Sequence, residues 1–213
     1  MTSEVNHDIF MPLVDEFEKI TNLSRVDIEN LKKDSTFKKV LEYIDQVCKD
    51  VNVPEVVKNI TIYYILPRVI GSDQFSNFSK RALALASLII AAKYSCYYRE
   101  LTSKIARYER SDLNARETVV NTLVNKIERF LGLKFSILDQ MCCKKLEIIC
   151  KNLGIDEKRV IERYKKLREN HEMSIRAAIA ALIPETQITV KTICDLFRVS
   201  KVVAFTIKKA ITS

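Results

Sequence analysis

The stretch FSKRALALASLIIAAKYS, residues 78–95, is apolar around almost its whole helical circumference. No face of such a helix suits water, so the pattern predicts a helix that is buried on every side. Its alanines would let neighbouring helices approach closely. A second Ala-rich stretch, SIRAAIAALI, occupies residues 174–183. We therefore expect two helical cores, each built around one of these helices.

The composition around these stretches favours an all-α protein. The 213 residues include only three Gly and four Pro, too few for the many turns of an all-β fold, and 47% are hydrophobic. The longest apolar run, residues 82–92, is about half of the ~20 residues that span a bilayer. The N-terminus, MTSEVNHDIF, lacks the pattern of a signal peptide. We expect no membrane contact and an intracellular protein, in the nucleus of a eukaryote or the cytoplasm and nucleoid of an archaeon.

The order of amphipathic segments occurs twice along the chain: long, long, Ala-rich, short and closing. Ile105 in SKIARY corresponds to Ile193 in KTICDL, 88 residues later, and each is followed by an apolar residue after 14 positions, Val119 and Ile207. A period of this length is the size of a domain. The sequence predicts an acidic helical segment at 1–33, a first five-helix repeat at 34–133 and a second at 134–213.

The charge is unevenly distributed. The chain has a formal net charge of +8, yet its first 34 residues hold eight acidic and four basic side chains. The remainder is therefore strongly basic, which suits a polyanion and most often nucleic acid. A basic surface that serves only solubility explains the charge equally well.

The residues of catalytic and metal chemistry are scarce. The six cysteines form no C-x-x-C pair, so we expect buried thiols, with metal or redox roles as the alternative. The two histidines, His7 and His171, belong to no Ser/His/Asp pattern, and no phosphate-binding Gly-rich loop occurs. We expect no enzyme, no catalytic residue, no metal, no cofactor and no small-molecule substrate.

Several short segments, in their order, resemble the cyclin fold. They are DVNVPEVVKNITIYYI at 50–65, ALASLIIAAKY at 84–94, RELTSKIAR at 99–107 and ICKNLGIDEKRVIERYKKLRE at 149–169. Within that fold, residues 35–213 most resemble the core of transcription factor IIB and its archaeal counterpart TFB. The resemblance implies two tandem five-helix cyclin-like domains and a transcription factor or transcriptional regulator that binds double-stranded promoter DNA. It also implies TATA-binding protein and RNA polymerase as partners.

The stretch TVKTICDLFRVSKVVAFTIKK, residues 189–209, corresponds to the closing helix-turn-helix of that family. The resemblance implies that its second helix enters the major groove, with Cys194 as the small residue between the helices, Val199 under the turn and Ser200 as the cap. It assigns Lys201, Val202, Phe205 and Thr206 to the groove, and Lys191, Arg198, Lys208 and Lys209 to phosphates. From the residues alone, the same stretch is also explained as the last hairpin of a helical core with a solvated basic face.

Two features depart from the family pattern. The N-terminus has no cysteines, so we expect the chain to lack the zinc ribbon by which the family docks on RNA polymerase. Phe205 stands where family members often carry an Arg that reads a base, and a phenyl ring cannot make the bidentate contact to guanine. The usual promoter element is therefore not the expected target.

A cyclin-like partner that activates a protein kinase is the main alternative function. Lys93 lies where the cyclin third helix carries a Lys that contacts the kinase, although a Lys that reaches solvent from a helix end explains it too. Cyclins carry an acidic residue on the fifth helix that pairs with the kinase, but the corresponding position here is about Val124, which argues against this alternative. A protein-interaction module without either activity is the third possibility.

Overall fold

The computed structural model describes residues 7–109, 115–170 and 172–212, and within these ranges every regular element is helical. The expectation of an all-α protein is confirmed for this part of the chain. The α-helices are α1 (Pro12–Thr21), α2 (Ser35–Val51), α3 (Glu55–Ile60), α4 (Leu66–Ile70), α5 (Lys80–Tyr94), α6 (Arg99–Ala106), α7 (Glu117–Phe130), α8 (Phe135–Leu153), α9 (Glu157–Glu169), α10 (Ser174–Leu182), α11 (Val190–Phe197) and α12 (Lys201–Thr212). Short 3₁₀ turns occur at 7–10, 31–33 and 73–75.

Helix α5 lies at the centre of the first half, as its apolar circumference predicts. Every residue from Ala82 to Ala92 is buried, and the helix packs against α2, α3, α4, α6 and α7. It also contacts α8 of the second half. The single buried hydroxyl in its middle, on Ser87, donates to the carbonyl of Leu83 at 2.8 Å. Small side chains let several helices approach this one axis, since close packing leaves little space between them.

Helix α10 has the corresponding place in the second half. Its alanines Ala177, Ala178 and Ala181 have no exposed surface, and the helix contacts α8, α9 and α12. The element order of the first half, from α2 to α7, is the order of α8 to α12, and Ile105 and Ile193 are buried on the short fourth helix of each. The assignment of each half to a cyclin-like domain, with bounds 34–133 and 134–213, stays a prediction.

The acidic N-terminal segment is part of the interior. Residues 1–6 lie outside the described residues, but Phe10, Leu13 and Phe17 have no exposed surface. Helix α1 packs on α3 of the first half and on α8 of the second. The apolar face of this segment is therefore buried against both halves of the chain.

A π-helical turn between α3 and α4 provides hydrogen-bonding groups that hold the segment after α1 in place. Residues Thr61–Ile65 form a π-helical turn between α3 and α4, and Pro67 lacks the N–H that would bond the carbonyl of Tyr63. That carbonyl instead accepts a bond from Val26 N at 2.9 Å. Arg68 donates to the carbonyl of Ser24. The Pro break thus ties the loop after α1 to the body.

One pair of cysteines departs from the expectation of buried free thiols. Cys96, in the turn between α5 and α6, is joined by a disulfide to Cys142 of α8, with Cα atoms 5.3 Å apart. The turn brings Cys96 to α8 because Cys96 adopts a left-handed conformation, with φ of 56°. Cys48 and Cys150 are buried free thiols, as expected. The disulfide links the two halves of the chain covalently.

Candidate nucleic-acid interface

Helices α11 and α12 form a hairpin, and a side chain caps the N-terminus of each helix. Thr189 Oγ1 accepts from Thr192 N at 3.1 Å at the start of α11, and Ser200 Oγ lies 3.4 Å from Val203 N at the start of α12. Between them, Val199 is buried. The expected cap at Ser200 and the expected position of Val199 under the turn are confirmed.

Helix α12 has a buried face and an exposed face. Ala204 and Ile207 are buried against the body, where α12 contacts α10 and α11. Val202 is 75% exposed and Phe205 is 50% exposed. Spacings of three and four residues place Val202, Phe205 and Thr206 on the same outward face. Two large apolar side chains therefore meet solvent in the N-terminal half of the helix.

Exposed lysines surround this apolar pair. Lys191 of α11 is exposed, and so are Lys201, Lys208 and Lys209 of α12. Thr206 is exposed as well, and its hydroxyl donates to the carbonyl of Val202 at 2.8 Å. The structure thus brings eight of the nine residues expected at the DNA interface to the surface of one hairpin; they are Lys191, Ser200, Lys201, Val202, Phe205, Thr206, Lys208 and Lys209.

Arg198 is the exception among the expected phosphate ligands. It ends α11 in a left-handed conformation, with φ of 53°, and its Nε is buried. Burial first and the charge of Arg198 second hold the pKa of Lys145 in the core well below its usual range. The side chain thus lies partly inward, because the turn directs it toward the core, and it is not on the face shared by the lysines.

The hairpin is docked on α6 of the first half. Tyr98 N, at the start of α6, donates to the carbonyl of Phe197 at 2.9 Å. Ser200 N donates to the Glu100 carboxylate, so an acidic side chain of the first half caps the start of α12. A carboxylate at a helix N-terminus is favoured by the helix dipole. These bonds fix the orientation of α12 relative to α6.

A basic cleft lies between α6 and α12, and the sequence did not indicate it. The cleft has a volume of about 1010 Å³, and its lining includes Arg99, Glu100 and Lys104 of α6 and Arg107 directly after it, with Ser200 and Val203 across from them. All three cationic residues are exposed. Their spacing on one face of α6 is visible in the sequence, but their position opposite α12 depends on a fold that joins residues 100 apart.

The region expected to contact a kinase contains an ion pair. Lys93 Nζ of α5 lies 2.7 Å from Glu128 Oε1 of α7. The position at which cyclins carry an acidic residue corresponds to about Val124, which is buried; Glu128 follows one helical turn later on the same face of α7. The side chain of Lys93 is 30% exposed in the last turn of α5, and its ammonium group is paired with Glu128.

The described ranges, which omit His171, contain no group of three His, Cys, Asp or Glu side chains that could hold a metal ion. None of the helices in those ranges has the length and apolar character needed to cross a membrane. Comparison of the chain with protein-family models, with curated proteins and with solved structures finds no match.

Proposed function

We propose that this chain is a DNA-binding transcription factor or regulator that resembles transcription factor IIB, and that α12 contacts the major groove of duplex DNA. The observation that carries the proposal is the exposed face of α12. Val202 and Phe205 lie in its N-terminal half, with Lys201 before them and Lys208 and Lys209 after them. A helix that follows a capped tight turn and exposes apolar and basic side chains suits a groove and its phosphates.

The charges around α12 match this role. Lys201 precedes the apolar pair, and Lys208 and Lys209 follow it, so cations flank both sides of the proposed base contact. Phosphate contacts of this kind position the helix without reading sequence. The apolar residues would contact base edges such as the thymine methyl group. TATA-binding protein and RNA polymerase are the partners that the family resemblance adds to this proposal.

The test is fluorescence anisotropy with random and AT-rich duplexes at several salt concentrations, with and without TATA-binding protein. We expect salt-dependent binding by the wild-type chain. The double variant Lys208→Glu/Lys209→Glu should bind every duplex more weakly, with a salt slope smaller by about 0.9 for each lost phosphate contact.

The matched control is Lys165→Glu/Lys166→Glu, which reverses two adjacent exposed lysines on α9, a helix that packs on α8 and α10. This variant should lose much less affinity, because its charges lie away from α12. Equal losses in the two variants would indicate a general charge effect. Absence of salt-sensitive binding by the wild-type chain would contradict the proposal.

Activation of a protein kinase is the second candidate function, and the pair Lys93–Glu128 favours it. The pair joins α5 to α7, and Lys93 Nζ also lies 5.6 Å from the ring of the exposed Phe135. A charged pair beside exposed apolar surface suits a protein partner. If this candidate holds, the chain should stimulate a cyclin-dependent kinase, and Lys93→Ala should reduce that stimulation while Lys208→Glu/Lys209→Glu does not.

A further inference from the structure

The exposed side of α6 is a row of cations above a buried face. Leu101 and Ile105 face the interior, whereas Arg99, Lys104 and Arg107 lie on the opposite, solvent side of the helix. This arrangement leaves no apolar stripe on the outer side of α6. A cationic helix face of this kind suits a charged ligand better than an apolar one.

The second wall of the cleft belongs to the hairpin that carries the proposed DNA contact. Ser200, directly before α12, and Val203 of α12 line the side of the cleft opposite the cations. The bonds from Tyr98 N to Phe197 O and from Ser200 N to Glu100 hold the two walls together. Any ligand in the cleft is therefore next to the N-terminal end of α12.

The cationic lining continues beyond the cleft. Arg107 also lines an adjoining groove of about 490 Å³, together with Arg116, Glu117 and Thr118 at the start of α7. Arg107 Nε lies 3.1 Å from Glu117 Oε2, so the positive charge of Arg107 is partly neutralised. Arg99, Lys104 and Arg116 are exposed as well. The two grooves share Arg107, and we call their combined lining the path. It holds four cationic and two acidic residues: Arg99, Lys104, Arg107, Arg116, Glu100 and Glu117.

We propose that this path binds the phosphate backbone of the duplex whose groove is occupied by α12. The inference rests on the proposed function and extends the DNA site from the second half of the chain to the first. Cations in a row and hydroxyls such as Ser103 and Ser200 suit a ligand with charges at regular intervals. An acidic protein segment would also need apolar surface, and the cleft offers the side chains of Tyr108 and Val203 for it, which is why an acidic polypeptide serves as the second probe below.

The test neutralises the path without touching α12. We expect Arg99→Gln/Lys104→Gln to weaken binding to random and AT-rich duplexes by the same factor and to reduce the salt slope by about 1.8, the value for two lost phosphate contacts. Arg116→Gln should reduce the slope by about 0.9. Lys165→Gln/Lys166→Gln removes two charges on α9 and should leave the slope nearly unchanged.

The outcomes separate this inference from the proposed function. If the wild-type chain binds duplex DNA and both path variants bind as the α9 control does, the path carries no phosphate contact and the inference is wrong. If the wild-type chain shows no salt-sensitive binding, the proposed function fails and the inference with it. Fluorescent polyglutamate is the second probe. If the wild-type chain binds polyglutamate and the path variants do not, while their DNA binding is unchanged, the cleft binds an acidic protein and the inference is wrong.

The two path variants should keep the thermal unfolding midpoint of the wild-type chain, because the three substituted side chains are exposed. Arg116→Gln lies on a different element from Arg99 and Lys104, so a folding defect in one variant leaves the other to decide the question.

Discussion

Lys145 Nζ lies 3.2 Å from the carbonyl oxygen of Cys96, in the interior where α8 meets the turn between α5 and α6. The side chain has no exposed surface, and the carbonyl of Ser95 accepts a second bond at 3.2 Å. Nζ also lies over the ring of Tyr97, 3.4 Å from its centre, and 4.6 Å from that of Phe10. One buried amino group thus connects the N-terminal segment with both halves of the chain.

The titration of Lys145 should make stability depend on pH. Burial and the charge of Arg198 hold its pKa well below the usual range in the folded protein. At pH values between this folded-state pKa and the ordinary Lys pKa of ~10.4, Lys145 is protonated in the unfolded chain but not in the folded one. The free energy of unfolding therefore rises with pH in this range, by at most about 1.4 kcal/mol per pH unit. We therefore expect the difference in free energy of unfolding between wild type and Lys145→Met to change in favour of the wild type as pH rises from 6 to 9.5.

Urea unfolding of both proteins at several pH values measures this difference. The comparison cancels the titration of cysteines such as Cys150, whose pKa burial raises to about 11. Lys144→Met is the control, because the bond to Glu147 raises the pKa of Lys144. A Lys whose pKa is raised on folding loses its contribution to stability only above the ordinary Lys pKa. The free energies of unfolding of Lys144→Met and the wild type should therefore change with pH in the same way between pH 6 and 9.5. A pH-independent difference between Lys145→Met and the wild type would contradict the prediction.

The disulfide between Cys96 and Cys142 should make stability depend on redox conditions. Closing a loop over 46 residues lowers the entropy of the unfolded chain and corresponds to about 4 kcal/mol. A reductant should therefore lower the urea midpoint of the wild-type chain. Cys142→Ser should abolish this response and Cys143→Ser should preserve it, with free thiols counted by alkylation and mass spectrometry. An equal response in the two variants would mean that Cys142 is not in the bond.

The parts of the structure that local pattern determines could be predicted from the sequence. Helix α5 is apolar on all sides and is buried, and the cap at Ser200 is set by its immediate neighbours. Lys145 could not be predicted as buried, because a Lys in an amphipathic helix ordinarily faces water and its partners here come from distant segments. The cleft escaped prediction for the same reason, since Lys104 and Val203 meet only through tertiary packing.

Truncation of Phe17 should destabilise the whole body. Its ring has no exposed surface and meets the ring of Tyr64 edge-on, with centroids 5.7 Å apart. We expect Phe17→Ala to lower the free energy of unfolding by about 3–5 kcal/mol, because it removes core contacts and leaves a cavity. Lys19→Ala, on the exposed side of α1, should change it by less than about 0.5 kcal/mol. Urea unfolding measures both, and a small effect at Phe17 would mean that α1 is an appendage.

The last prediction concerns Phe205 and the base edges. Because its ring is 50% exposed and carries no charge, Phe205→Ala should leave folding and the salt slope nearly unchanged. It should instead change the ratio of affinities for AT-rich and random duplexes, since the lost contact is with bases rather than phosphates. Competition anisotropy at one salt concentration gives this ratio directly. Phe135→Ala, which removes a 69% exposed ring from α8, is the matched control and should keep the wild-type ratio. If Phe205→Ala lowers both affinities by the same factor, the ring does not contact bases and α12 binds through its lysines alone.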